Sequence, residues 1–277
     1  MLDAKSLTVS EKPSNPRRFP WKALGSGLAN LALGLVGFGL LLLTWHLISS
    51  KSPDLPGPAK TLPVLWELLR NPFYDNGEND KGIGIQVALS LGRVFKGFLI
   101  GSLIAIPVGG LLGACKPLLK VLNPVIQVLR PVSPLAWYPI GLAILKDSPK
   151  AVTFAIVITS LWPTLINTMV GVSGLPQDFR NVARVFKFSP WQFASKVLFP
   201  YALPHILTGL RLSMGIAWVV IVAGEMLAGG TGIGYFVWDS WNAGSVEKVI
   251  AAILIIGGIG LLLDRVFEFL TQKAKFE

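Results

Sequence analysis

Phe179-Arg180-Asn181-Val182-Ala183-Arg184-Val185-Phe186-Lys187-Phe188-Ser189-Pro190 is a short amphipathic passage set between long apolar stretches. Phe179, Val182, Ala183 and Phe186 fall at i, i+3, i+4 and i+7, one face of a helix, and Arg180, Arg184 and Lys187 run beside them as a cationic stripe. Ser189 before Pro190 supplies an N-cap and an N1 proline, which predicts a second short helix running to Pro200. Two short helices between apolar runs fit a chain that leaves a membrane, turns and re-enters it. The same pattern also fits an interfacial helix resting on anionic lipid.

Composition fits a bilayer. Of 277 residues, 52% are hydrophobic and 14% charged, and the mean hydropathy is +0.60, values that suit a lipid-exposed, all-α fold better than a soluble one. Six stretches, about 27–48, 97–114, 121–145, 151–172, 203–226 and 249–269, approach the roughly 20 apolar residues of a spanning helix and predict six transmembrane helices. The first is too long for a signal-peptide core of about 7 to 15 residues and is expected to stay as an anchor. Fourteen Lys and Arg fall in segments on the side of the N-terminus and seven on the other. That asymmetry places both termini in the cytoplasm. The net charge of +10 then belongs to topology and is no signal for nucleic acid. Cys115 is the only cysteine, and His46 and His205 are the only histidines, which excludes an intrachain disulfide and argues against a zinc site.

The expected organisation is a polar cytoplasmic tail over 1–26 with Trp21 as an interfacial anchor, then a first transmembrane helix over 27–50. An external loop over 51–82 carries one or two turns of helix near 64–69. The core spans 83–270, with the amphipathic loop at 176–200 inside it, and a cytoplasmic tail covers 271–277. From residue 83 a long helical pattern places Gln86, Ser90, Arg93 and Lys96 at spacings of three or four, an amphipathic outer half. Glycines from Gly97 to Gly113 include two GxxxG spacings, which fit intrachain packing better than a dimer contact.

Pro124, Pro131, Pro134 and Pro139 interrupt the third span. Non-helical backbone at membrane depth must be buried in protein or line water. The stretch 129–139 therefore fits a pathway wall, and equally a kinked packing helix with Arg130 snorkelling to headgroups. Arg130, Ser133, Tyr138, Arg211 and Ser213 are the candidate pathway residues, being polar groups near interrupted backbone, and Arg211 also fits a packing role. Glu225 and the more peripheral Asp264 are the only acidic candidates inside the spans, poor support for an ion-coupled carrier. The glycine run at 229–234 is not followed by Lys-Ser or Lys-Thr, so a phosphate cradle is poorly supported. No GxxxxGK[ST] sequence and no catalytic or metal cluster occurs, so neither an enzymatic centre nor a cofactor is expected in this chain.

Residues 181–200 resemble the cytoplasmic EAA loop of bacterial ABC importer permeases, whose pattern is Glu-Ala-Ala, three residues, Gly, nine residues, Ile-x-Leu-Pro. Ala183 and Pro200 match, Val197 and Phe199 are conservative stand-ins, and Asn181, Val182 and Lys187 replace the acid, the first alanine and the glycine. Leu129-Arg130-Pro131 with Pro134, Trp162-Pro163 with Asn167-Thr168, Gly209-Leu210-Arg211, Ala217-Trp218, Glu225 and Gly232-Ile233-Gly234 resemble the branch importing nitrate, sulfonates, taurine and bicarbonate. The likeness covers roughly 60–270, and the wording of 181–187 is most similar to the nitrate/nitrite permeases of cyanobacteria, with bicarbonate permeases a close second.

The resemblance implies a type I ABC importer permease fold in a bacterial inner membrane, paired as a homodimer. It also implies two cytoplasmic ATPase subunits that bind ATP and Mg, and an external solute-binding protein. Phe179, Arg180, Val182, Ala183, Arg184, Phe186, Lys187 and Pro200 would then couple the permease to the ATPases. A secondary transporter working without an ATPase is the competing class, and it should transport when reconstituted alone.

Overall fold

A computed structural model describes residues 21–52, 54–77 and 80–274. The tail 1–20, residues 275–277 and the side chain of Trp21, with its expected anchoring role, lie outside the described residues. The chain divides into two units, 1–58 and 59–277.

In the first unit α1 (Trp21–Lys51) begins earlier than the expected 27. Leu33, Val36, Leu40, Leu43 and Leu47 are all exposed within it, and an apolar helix open on every side suits lipid.

In the second unit α2 (Pro58–Arg70) is longer than the one or two turns expected. It is followed by α3 (Ile83–Ala114), α4 (Lys116–Leu129), α5 (Pro134–Leu145), α6 (Ser148–Ser173), α7 (Gln177–Val185) and α8 (Pro190–Phe193). A π-helical turn (Ala194–Leu198) then leads into α9 (Phe199–Ala228), α10 (Ile233–Asn242) and α11 (Val246–Ala274). Among the described residues five helices are long and apolar enough to cross a bilayer, and six spans result when the bent α4–α5 pair is counted as one.

The core is built on α3, α6 and α9. The small residues of α3 face α6, so the GxxxG stripe serves intrachain packing: a Cβ added at Gly109 would lie 2.5 Å from the Leu165 carbonyl oxygen. Val94, Phe98, Val152, Ile156, Met214 and Ile221 fill the space between the three helices. α11 closes over them, with Phe267 set edge-on to Phe98 at 5.7 Å between ring centroids.

The third span breaks in one place only. α4 and α5 meet at 97° across residues 130–133, whereas Pro124 and Pro139 sit inside helices. Pro131 and Pro134 together remove two donors within four residues, and Pro134 starts α5 at N1.

Pro200 does not end the helix that begins at Pro190, contrary to the sequence expectation; Pro190–Ala228 is one rod of 39 residues. The π turn just before Pro200 absorbs the lost donor by widening the ladder locally.

Candidate functional site

Three polar or exposed features stand out, one at each end of the core and one at mid-depth.

At the end where α6 runs into α7, Phe188 N–H donates to the Ala183 carbonyl (2.9 Å) and Lys187 N–H to the Arg184 carbonyl (3.0 Å). This is a Schellman turn with Lys187 as its left-handed residue, φ +50°. Lys187 thus stands in a glycine-like backbone, at the position where the EAA pattern carries glycine. Ser189 then caps α8 reciprocally: its hydroxyl accepts from Gln192 N–H (3.2 Å), and the Gln192 amide oxygen accepts from Ser189 N–H (2.9 Å). The turn between the two short helices is therefore held by the Schellman backbone bonds on one side and the reciprocal side-chain cap on the other.

Around that turn Phe186 is 70% exposed and Trp191 79%, and Val182 and Val185 are also open. Ala183 differs. It is 6% exposed, packed within the unit, and reaches the surface only at the hollow beside the two arginines. Arg180 and Arg184 line a hollow of about 250 Å³ beside Phe188 and Phe193. Phe179 lies 6.2 Å from the ring of Tyr201, whose hydroxyl donates to the Gly174 carbonyl at 2.9 Å. Pro200 lies within the rod, behind the π turn.

At mid-depth the α4–α5 break faces the middles of α6 and α9. A cavity of about 390 Å³ is lined there by Arg130, Ser133, Thr159, Trp162, Asn167 and Ile216, among others. Arg130 and Ser133 are thus brought together. The remaining expected residues are engaged elsewhere.

Ser213 is fully buried; its hydroxyl accepts from Thr164 N–H (3.2 Å) and donates to the Ser160 carbonyl. Those two groups are i−4 ladder partners in α6, so the Ser213 hydroxyl of α9 docks on the α6 backbone beside Pro163. Arg211 makes a bidentate pair with Asp264 of α11 at 2.6 and 2.7 Å, which favours packing over substrate contact. Tyr138 shares a hydrogen bond with Ser148 (3.0 Å), whose hydroxyl donates to the Ala228 carbonyl (3.0 Å), away from the break.

At the opposite end lies a buried network that the sequence reading divided among unrelated features. Glu225, 1% exposed, meets Arg93 at 2.6 Å. Arg93 also donates to the Thr231 carbonyl (2.6 Å) and hydroxyl (2.9 Å). Three of the orphan amides that open α10 are taken by side chains: Gly232 N–H by Gln86 (2.6 Å), Ile233 N–H by Ser90 (2.9 Å) and Gly234 N–H by Glu225 (3.1 Å). Gly232 sits at φ +126°, and a Cβ there would collide with the Glu225 carboxylate. The spacing of Gln86, Ser90 and Arg93 was the available signal; the stripe turns inward because Glu225 and these amides need partners. With both its charge and its lone pairs engaged, Glu225 ties α9 to α3 and to the start of α10.

An inward-facing structure of the MetNI methionine ABC transporter aligns with a TM-score of 0.62 over 77% of this chain and 99% of that one, at 16% identity. The fold is that of the ABC importer permeases. Residues 97–276 match the binding-protein-dependent transport system inner membrane component, and the chain belongs to that family. It is 46% identical to the "Nitrate import permease protein NrtB" of Synechocystis sp. over 85% of this chain and 86% of that protein. It is 43% identical to the "Bicarbonate transport system permease protein CmpB" of the same organism, over 96% of this chain and 98% of that protein.

Proposed function

We propose that this chain is the permease subunit through which an ATP-driven importer passes nitrate or nitrite, working as a homodimer with two cytoplasmic ATPases and an external binding protein. The observation that carries the coupling is the rigid, capped α7–α8 turn with its unpartnered apolar face. Aromatic anchors dominate such interfaces, so Phe186 and Trp191 fill a groove on the ATPase while Arg180, Arg184 and Lys187 set orientation. α7 and α8 then lie in the cytoplasm, with both termini on the same side.

The mechanism follows from rod continuity. Movement of α8 by a closing ATPase pair is carried through the π turn along the continuous Pro190–Ala228 helix. Leu212 and Ile216, halfway along the rod, line the cavity at the α4–α5 break, and Glu225 near its far end grips α3 and α10. One displacement therefore moves the pathway wall while that grip keeps the far end in register. ATP and Mg belong to the partner subunits; this chain positions, gates and excludes.

Bicarbonate is the second reading, favoured by the similarity to CmpB. The coupling test replaces Phe186→Ala and, separately, Arg184→Glu. Membrane insertion should be unchanged, while ATPase co-purification weakens by about tenfold or more for Phe186→Ala. Full ATPase retention and full coupling in both variants would contradict the assignment and leave membrane adhesion as the role of the turn.

A further inference from the structure

Arg130 is shared by two cavities. The one described above, about 390 Å³, lies on one side of it; a second, of about 560 Å³, is lined by Asn123, Ile126, Gln127, Arg130, Pro131, Ile166 and Met169. Arg130 caps α4, its N–H donating to the Ile126 carbonyl at 2.9 Å. Among the described residues its guanidinium makes no ion pair and no side-chain hydrogen bond, unlike Arg93 and Arg211. Neither cavity is lined by a carboxylate.

Asn123, Gln127 and Arg130 stand at i, i+4 and i+7 on α4, one row along one face. Beyond the break the row continues in Ser133, then in Thr159 and Asn167 of α6. Asn167 spends one amide proton on the Pro163 carbonyl at 2.8 Å and keeps the other. The two cavities are thus joined through one free cation flanked by neutral donors.

We infer that Arg130 is the selectivity relay of the pathway, passing a small planar monovalent oxyanion between the cavities on either side of the α4–α5 break, with Asn123 and Gln127 as the approach and Ser133 and Asn167 as the exit. This rests on the importer reading. A guanidinium is a planar fork matched to two oxygens of a planar anion. A single positive charge compensates a single negative one without holding it, and conduction needs binding weak enough to release. Neutral amides and hydroxyls hand the anion on without trapping it. A cation meets the reverse: a positive charge and no carboxylate.

The experiment uses the whole complex, permease with its ATPases and binding protein, in proteoliposomes, with Arg130→Gln, Arg130→Lys and Gln127→Ala beside the unsubstituted protein. Nitrate, nitrite, bicarbonate and taurine uptake and binding-protein-stimulated ATP hydrolysis are measured in zwitterionic and in anionic vesicles. Arg130→Gln should lower uptake of the transported planar anion about tenfold or more while ATP hydrolysis continues. Arg130→Lys should keep uptake but narrow the preference for planar anions over tetrahedral taurine, and Gln127→Ala should lower uptake by a smaller factor.

Unchanged uptake per ATP hydrolysed in Arg130→Gln would overturn the relay. So would a defect confined to anionic vesicles, which would assign the guanidinium to lipid headgroups. No uptake of any anion by the unsubstituted complex would instead remove the importer reading, so the two failures are distinct.

Discussion

Lys187 holds a left-handed backbone, φ +50°, at a cost of roughly 1 kcal/mol to a residue other than glycine. Lys187→Gly should therefore raise the thermal stability of the assembled complex by up to about 1 kcal/mol and keep the Schellman turn, whereas Lys187→Val should lower it. Differential scanning of the purified complex checks both signs. Ser213→Ala leaves the Ser160 carbonyl and the Thr164 N–H without their bridge, a loss of about 1–3 kcal/mol with unchanged anion preference. For Arg211 the charge-swapped pair Arg211→Asp with Asp264→Arg should recover the expression and stability that either single change loses. The amphipathic spacing of 179–186 and the cap at Ser189 were legible in the sequence because both are local. The partners of Ser213 and Arg211 were not, since they lie on other helices and leave no spacing to read.

Elements were legible where they depend on apolar length. The spans announced themselves, and the proline-rich third span was expected to break. That only residues 130–133 break could not be read, because a proline's effect depends on whether a neighbouring helix or a π turn accommodates it. The continuity of Pro190–Ala228 was hidden for the same reason. α10 was missed because its start is held by α3 and α9 side chains, which no local pattern in a glycine run reports. Glu225→Gln and Arg93→Gln should therefore loosen α10: hydrogen exchange at the Gly232, Ile233 and Gly234 amides should accelerate in both, with Gly109 as an unchanged internal control.

The start of α6 carries a pH dependence of its own. Asp147 caps it by accepting from the Lys150 backbone N–H at 2.9 Å, and that bond first, then the Lys150 side chain, holds its carboxyl below the ordinary aspartate value. The group's folded pKa is depressed, so its stabilisation is present above the unfolded value and fades as pH falls through the folded one. Asp147→Asn keeps a capping oxygen and should flatten that acid-side loss in a melting-temperature series.

At the scale of the molecule, the charge asymmetry of the connecting segments gives an orientation that cysteine labelling checks. In a Cys115→Ala background, Ser189→Cys should resist an impermeant thiol reagent in intact cells and Asn76→Cys should react; the reverse pattern would invert the topology. The most direct measurement of the central claim is uptake of isotopically labelled nitrate by proteoliposomes carrying the permease alone or with its ATPases, each with and without ATP and binding protein. Saturable uptake should appear only when permease, ATPases, binding protein and ATP are all present. Nitrate uptake by the isolated permease, or ATP-driven uptake of bicarbonate with none of nitrate or nitrite, would contradict it.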